Sequence, residues 1–477
     1  MTMNTIRKII LYSILSIGFL FTSCESLVDG INDNPNDLVP EDVNPQFFLN
    51  GALLANSVAQ AGHLNRIAGM YSGQLIGFTS LYSNIYGYSL SSAESVTTWS
   101  RLYIGVIPNV RKIRELANGD NYLIGVAKVV EAHAIGTAAT LFGDVPYSEI
   151  AIDGIDDPVF DEQAAVFNAV IALLDEAIID LTNTPDRNEP FDIYFEGAAS
   201  KWLESANTLK ARYYLQLKDY SNAYAAAQNG ISAPENSMKY IPRGDPARTE
   251  GDKNLFWTIL EGSRTGDIGT GDSYLMQILD SANAINRYNA KTDERARFGY
   301  YRIDETGGRA NLGIIEQFEP HKLVTFEENL LILAEAGART AGFDTGLGHL
   351  NELRAYLNTG GFLNANFIDQ PFAYEPYEAA DFENGGMENL DGIATDRALL
   401  REIIEERYIS GFGTYIPYND VRRLQKDDSD LIVPFPLNDG SATMNPQRMP
   451  YSFDELNTNS NAPAEDPGIF TITDVNL

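Results

Sequence analysis

Cysteine is almost missing from this chain: Cys24 is the only one in 477 residues. A lone thiol closes no internal disulfide, so the fold must be held by packing and polar contacts. Histidine is scarce as well. The four, at 63, 133, 321 and 349, form no H-x-x-x-H pair, which argues against a histidine zinc site. A glycine-rich phosphate loop ending in Lys and Ser or Thr is absent. The glycines of Arg264-Thr265-Gly266-Asp267-Ile268-Gly269-Thr270-Gly271 have the spacing of neither nucleotide fingerprint. The G-x-S-x-G elbow of hydrolases is also lacking. Cations are outnumbered, 34 Lys and Arg against 66 Asp and Glu, for a net charge of -32. Such a field disfavours nucleic acid and anionic lipid surfaces. Beyond residue 23 no run of 18 apolar residues occurs, so no transmembrane helix is expected.

The one cysteine has an informative place. A basic start (Arg7, Lys8), an apolar stretch from Ile9 to Phe21 and the small residues Thr22 and Ser23 lead up to it. That order is the n-region, h-region and cleavage zone of an export signal. The apolar stretch is shorter than the roughly 20 residues a spanning helix needs. Phe21-Thr22-Ser23-Cys24 therefore reads as a lipobox, with residues 1–23 removed and Cys24 acylated. Acyl chains anchor firmly, at about 0.8 kcal/mol per buried methylene. Losing Arg7 and Lys8 moves the net charge from -32 to -34. Residues 24–45, with Asn34-Pro35-Asn36-Asp37 and Asn44-Pro45, read as a tether of turns.

The body from 46 to 477 alternates helical pattern with irregular stretches. A helix opens after Pro45, with Phe47, Leu49, Leu53, Leu54 and Val58 on one side, and the pattern runs to about Tyr71. Residues 71–98 hold Tyr71, Phe78, Tyr82, Tyr86 and Tyr88 without a fixed period. They read as a decorated loop or a broken helix. From Trp99 to Leu116 a helical period returns, interrupted at Pro108. Tyr122 to Leu141 is a further helix of small residues, stopped by Gly143 and Pro146. Asp153, Asp156 and Asp157 offer carboxylates for a structural calcium ion, but not in the order of the twelve-residue calcium loop. Residues 162–181 are amphipathic. Lys201–Leu217 and Tyr220–Gln228 form a helical pair, and a second pair runs from Phe326 to Leu357. Both are alanine-rich and about 30 residues long, a tetratricopeptide-like size. Residues 231–325 and 359–392 lack a sustained period, with short helices expected at 272–282 and 289–297. Thr395–Ile409 is helical, and the prolines after Gly411 exclude a long helix in the tail.

The chain has 25 Tyr, 23 Phe and 3 Trp. Most rings must serve the core, but those in irregular stretches can stack on sugar rings while neighbouring polar groups take the hydroxyls. The candidates are Tyr82, Tyr86, Trp99, Trp257 and Tyr301, with Asn84, Asp267 and Arg309 as polar helpers. His133 and Trp202 read as packed residues. Glu327-Glu328, Glu335 and Glu405-Glu406 are the carboxylates a glycosidase would draw on. On helices they read instead as solvated faces or local salt-bridge partners.

Several phrases together carry a resemblance. They are the lipobox, the helix end Leu141-Phe142-Gly143-Asp144-Val145-Pro146-Tyr147, and Lys201-Trp202 through Ala211-Arg212-Tyr213. Glu405-Glu406-Arg407-Tyr408-Ile409, Tyr418-Asn419-Asp420-Val421-Arg422-Arg423, and Arg448-Met449-Pro450-Tyr451 with Glu455 and Asn457 complete the set. In that order, across essentially the whole chain, they resemble the SusD/RagB family of Bacteroidota outer-membrane nutrient-binding lipoproteins. Tyr415 and Tyr418 stand where the family often has a tryptophan before the paired arginines.

The resemblance implies an all-α fold, a tetratricopeptide-like helical-pair scaffold with long irregular ligand-binding loops. The scaffold would lie mainly in 46–230 and 326–410. It implies a surface-exposed lipoprotein, held in outer-membrane lipid through acylated Cys24. It would pass glycan to a SusC-like TonB-dependent transporter barrel without cleaving it and with no required cofactor. A peptide-binding lipoprotein of the same kind of uptake system is the second reading, a surface glycoside hydrolase the third, and an interaction protein without a small ligand the fourth.

Overall fold

The computed structural model describes Met3 and residues 44–477. Apart from Met3, the expected signal peptide, Cys24 and nearly all of the tether lie outside the described residues. Residues Pro45–Leu477 form one compact unit.

Helix α1 (Gln46–Ala61) starts directly after Pro45. The pattern that predicted one helix to Tyr71 is broken at Gly62, and α2 (His63–Tyr71) follows. Residues 71–98 take the broken-helix form: strand β1 (Ile76–Gly77), helix α3 (Ser80–Tyr86) and a 3-10 turn. Helix α4 (Val96–Ser100) runs through a π-helical turn at Arg101–Val106 into α5 (Ile107–Leu116), so the interruption comes just before Pro108. Proline in a helix's first turn has no hydrogen bond to lose.

Helix α6 (Asn121–Phe142) is the centre of the molecule and is buried almost all round. It is long and apolar enough to cross a membrane, the one such helix among the described residues. Yet 89% of its apolar window is buried inside the protein, as expected of a core helix. Its small residues let neighbours approach: a side chain at Gly136 would run into the Tyr213 ring. The helix stops at Gly143, and the short strands β2 (Val145–Pro146) and β3 (Phe160–Asp161) pair before α7 (Gln163–Leu181) packs back on it.

Two further pairs extend this layer, α8 (Ala199–Gln216) with α9 (Tyr220–Ala227), and α13 (Phe326–Ala341) with α14 (Phe343–Leu357). Helix α8 packs on α6 and α7, α9 packs on α13, and α13 packs on α15 (Thr395–Ser410). The fold is thus mostly helical and built from stacked helix pairs, as expected. The tail adds a helix the prolines did not exclude, α16 (Ile416–Leu424), with Pro417 in its first turn.

Between the pairs the chain makes short helices, α10 (Leu255–Glu261), α11 (Tyr274–Leu279) and α12 (Arg295–Tyr301). Two of them fall near the expected positions. The first was not expected from the sequence. Strands β4 (Met238–Tyr240), β5 (Ile268–Gly269), β6 (Thr292–Asp293), β7 (His321–Val324) and β8 (Ala373–Tyr374) complete the set. They make two-stranded antiparallel ladders, β1–β5, β4–β7 and β6–β8. Each ladder satisfies backbone groups that a loop cannot bury unpaired. Together they stitch 71–98 to 231–325, close 231–325 on itself, and join it to 359–392.

The helical carboxylates are corrected by the structure. Glu327, Glu328, Glu335 and Glu406 do not lie on solvated faces; they are buried. Glu335 of α13 receives Arg423 of α16 at 2.6 Å, and Glu406 of α15 receives Arg297 at 2.9 Å and Arg287 at 2.7 Å. Glu328 receives Arg212 at 2.6 Å. These pairs join segments distant in the chain rather than local turns. Burial alone would raise the Glu335 and Glu406 carboxyls, but the facing guanidinium groups hold each down to about 2. His133 and Trp202 are core residues as read: His133 faces Asn56 and Arg212, and Trp202 donates its indole N–H to Asp192 at 2.9 Å.

Candidate functional site

The first ladder sets the geometry of a loop face. Ile76 pairs with Gly269 and Gly77 with Ile268. Beyond the pair, the Phe78 amide donates to the Asp267 carbonyl at 2.8 Å, and the Thr79 hydroxyl donates to the Asp267 carboxylate at 2.7 Å. The strap from Arg264 to Thr270 is held on its other side too. Gly266 N–H donates to the Glu305 carbonyl at 2.6 Å and Thr270 N–H to the Ile303 carbonyl at 3.1 Å. Gly271 closes the strap at φ +48, and a side chain there would strike the Phe78 ring at 2.9 Å. Glycine therefore answers both demands, the left-handed turn and the close ring.

Under this strap lies a polar line. The Tyr82 hydroxyl receives the Arg66 Nε–H at 3.0 Å and faces His63 Nδ1 at 3.2 Å. His63 Nε2 meets the Glu94 carboxylate at 2.6 Å. The Arg264 guanidinium stands 5.9 Å from the Tyr82 ring centre and 3.4 Å from the Asp267 carboxylate. Burial, reinforced by Arg66, lowers the His63 imidazole below its usual range, against the pull of Glu94. The same two causes bring His321 down to about 4. Phe78, partly exposed, and Tyr86, half-buried, stand at the surface of this region.

The concavities are of two kinds. Behind the strap, Asn65, Gly69, Leu75, Phe256, His321 and Thr414 are among the residues lining a cavity of about 50 Å³. That is room for one or two waters at roughly 30 Å³ each, not for a sugar ring. A larger hollow of about 290 Å³ lies between Glu388, Asp391, Arg401, Glu402 and Glu405, with Met387 and Leu390. Burial raises the Glu402 and Glu405 carboxyls, although Arg287 behind them opposes the shift. Among the described residues, no three His, Cys, Asp or Glu side chains come together as metal ligands.

Residues 35–242 match a family model, SusD-like, described as starch-binding associating with outer membrane. Residues 35–242 are SusD-like in sequence. The chain's fold is shared along nearly its full length with solved structures. A SusD/RagB family protein from Bacteroides thetaiotaomicron VPI-5482 superposes with a TM-score of 0.63 at 19% identity, covering 88% of this chain and 95% of that one. A chitin-binding SusD homolog from Flavobacterium johnsoniae gives 0.65 at 17% identity, covering 90% and 98%. A SusD homolog from Bacteroides fragilis NCTC 9343 gives 0.64 at 17% identity, covering 91% and 99%. No curated protein matches the chain.

The candidate residues separate into groups. Tyr82, Asn84, Tyr86 and Asp267 are brought to the loop face by α3 and the first ladder, with Asn84 and Tyr86 reaching the surface. Tyr82 is covered, its hydroxyl committed to Arg66 and His63. Trp257 and Arg309 share a second place: Gly308 lies against Trp257, and exposed Arg309 binds Glu261 of the same helix, α10, at 2.7 Å. Trp257 itself is buried. Trp99 lies in the core, stacked on Tyr103 at 4.6 Å with Phe142 edge-on at 5.0 Å. Tyr301 is packed against Phe412 at 5.2 Å. Tyr82, Trp99, Trp257 and Tyr301 therefore have no free ring face for a sugar in this conformation. All four lie in short helices, of five to seven residues, whose rings turn into the body. Arg66, Arg264, Thr79 and Phe78 were not among the candidates. His63 and Arg66, spaced i and i+3 in α2, were the available signal, since that spacing puts both on one helix face.

Proposed function

We propose that this protein captures glycan at the cell surface for uptake and performs no chemistry on it. The observation that carries the reading is the family match over 35–242, with its starch-binding, outer-membrane description. The shared fold with a chitin-binding homolog supports it. The geometry fits a binder: two irregular segments are clamped into one face by β1 and β5, with half-buried Tyr86, exposed Asn84 and Phe78 at the rim. An aromatic edge with polar groups beside it is what sugar rings and hydroxyls need. The carboxylates of this face, Glu94 and Asp267, are engaged by His63 and Thr79.

The same reading gives the protein a lipid anchor at Cys24 after removal of residues 1–23, a tether to about residue 45, and a SusC-like TonB-dependent transporter as the receiver of the cargo. Calorimetric titration with plant, host and microbial glycans and with peptides tests the capture. Saturable heat with a glycan, reduced when Tyr86 is replaced by Ala, is the expected result. Heat with peptides alone would move the protein to peptide capture. Release of new reducing ends from any bound glycan would make it a hydrolase. Replacing Cys24 by Ala is expected to free the protein from the outer-membrane fraction.

A further inference from the structure

We propose that the captured glycan carries an anionic group, a uronate carboxylate or a sulfate ester, and that Arg66 and Arg264 receive it beside Tyr82. The inference rests on the capture reading and adds the chemical class of the cargo.

Arg66 is the starting point. It is 7% exposed, and its side chain makes one hydrogen bond, from Nε to the Tyr82 hydroxyl. The guanidinium lies 5.7 Å from the Phe256 ring centre, and among the described residues no carboxylate is within ion-pairing distance of it. A guanidinium has five N–H donors; the two Nη groups of Arg66 make no hydrogen bond within the described residues and are not sealed from solvent, so they stay open to an incoming anion. The chain has 66 acidic residues against 34 basic ones, yet none of the described acids pairs with Arg66. Buried Arg297, Arg407 and Arg423 each hold a carboxylate. Arg354 and Arg422 lack one, but backbone carbonyls of Lys291 and Glu375, and of Thr140 and Gln447, take their place. Arg448 also lacks one and lies over the Tyr451 ring, in the C-terminal segment.

A second cation reaches the same ring. Arg264 comes from the strap, is about a third exposed, and has only Asp267 at 3.4 Å as a carboxylate partner. Asp267 is already taken by the Thr79 hydroxyl at 2.7 Å. The fields of both arginines are felt at His63, behind burial as the main cause of its lowered proton affinity. The opposing acids are committed elsewhere: Glu94 to His63, and Asp252 to the Tyr240 hydroxyl. An anion approaching this protein meets a net charge of -32 over the whole chain and finds two under-paired guanidinium groups at one point of the loop face. Forked N–H donors suit the oxygens of a carboxylate or a sulfate. The surrounding negative field would then work as a filter, admitting an anionic glycan only in the register that places its charge there.

The test is titration of the full chain, in detergent, with three oligosaccharides of matched length: an oligogalacturonate, a sulfated galactan and a neutral galactan. Neutral β-glucan and chitin oligosaccharides and an acidic peptide complete the set. The expected result is binding of an anionic probe at least about ten-fold tighter than its neutral counterpart, since charge-assisted bonds are the stronger kind. That preference should fade as salt is raised. Whichever of the uronate and sulfate arms gives the heat identifies the source. Arg264→Gln should remove the preference without lowering the melting temperature, and Arg264→Lys should keep part of it. Because Arg66→Gln alters a buried site, it is read by the probe-induced rise in melting temperature, which should disappear while the free variant still melts cooperatively. Equal binding of neutral and anionic glycans, untouched by Arg264→Gln, would overturn the anionic assignment and leave glycan capture standing. Binding of the peptide alone, or of none of the probes, would overturn the capture reading and this inference with it.

Discussion

A tyrosine and a tryptophan from irregular sequence have opposite fates here. Tyr86 is half-buried at the end of α3, while Trp257 is 2% exposed, under Gly308. The sequence places both in stretches without period and cannot tell a rim ring from a gap-filling one. What separates them is the partner that folds over them, and that partner is distant in the chain. Replacing Trp257 by Ala should therefore cost about 3–5 kcal/mol of stability, as for other buried large rings. Replacing Tyr86 by Ala should leave the melting temperature nearly unchanged and weaken glycan binding. Thermal melts and titration of the two variants check this. A Trp257→Ala protein that melts like the parent would show that its burial is not energetic. The buried glutamates teach the same lesson. Glu335 looks solvent-facing in a helix of mixed pattern, yet Arg407 and Arg423, from helices some 70 to 90 residues on, close over it.

At the level of elements, the helix pairs were legible and the ladders were not. Periods of three and four over 15 or more residues gave α6, α7, α13, α14 and α15 nearly to their ends. Gly143 marked one of their stops. The strands of two to four residues carry no readable alternation, and their partners lie far away: β1 and β5 are joined across the whole of α6 to α10. Yet these ladders decide where the loop face is. The strap from Arg264 to Thr270 hangs on few bonds, and the Asp267 carboxylate supplies one of them to Thr79 at 2.7 Å. Asp267→Ala should loosen the strap without unfolding the body. Hydrogen exchange is the measurement. The amides of Phe78, Gly266 and Thr270 are expected to lose protection while those of α6 keep theirs, since local opening is drawn from segments with few buried contacts. Loss of protection throughout the molecule would mean that the strap is part of the core.

For the whole molecule, protons connect the loop face to stability. His321 sits at β7, accepting the Leu255 amide at Nε2 (3.0 Å), and burial with Arg66 nearby holds its imidazole at about 4 rather than 6.5. The unfolded chain binds that proton near pH 6.5 and the folded chain does not. The stability tied to His321 is therefore present above about 6.5 and is lost as the pH falls towards 4. Between pH 7 and pH 5 the loss is about 2 kcal/mol by linkage. His133, lowered well below its usual range by burial and then Arg212, adds a loss of the same sign. Glu402 and Glu405 act the other way, because their raised carboxyls take up protons in the folded state as the pH falls. Glu335 and Glu406, held at about 2, join the losses only below about 4.5. The net slope mixes these terms, so the variant isolates one. His321→Gln can still accept the Leu255 amide but takes no proton. From pH 7 to pH 5 the parent should lose about 2 kcal/mol more than the variant in denaturant unfolding, by the same linkage. Parallel losses in the two proteins would mean that His321 is protonated in the folded state, and that Arg66 does not project its charge into this part of the loop face.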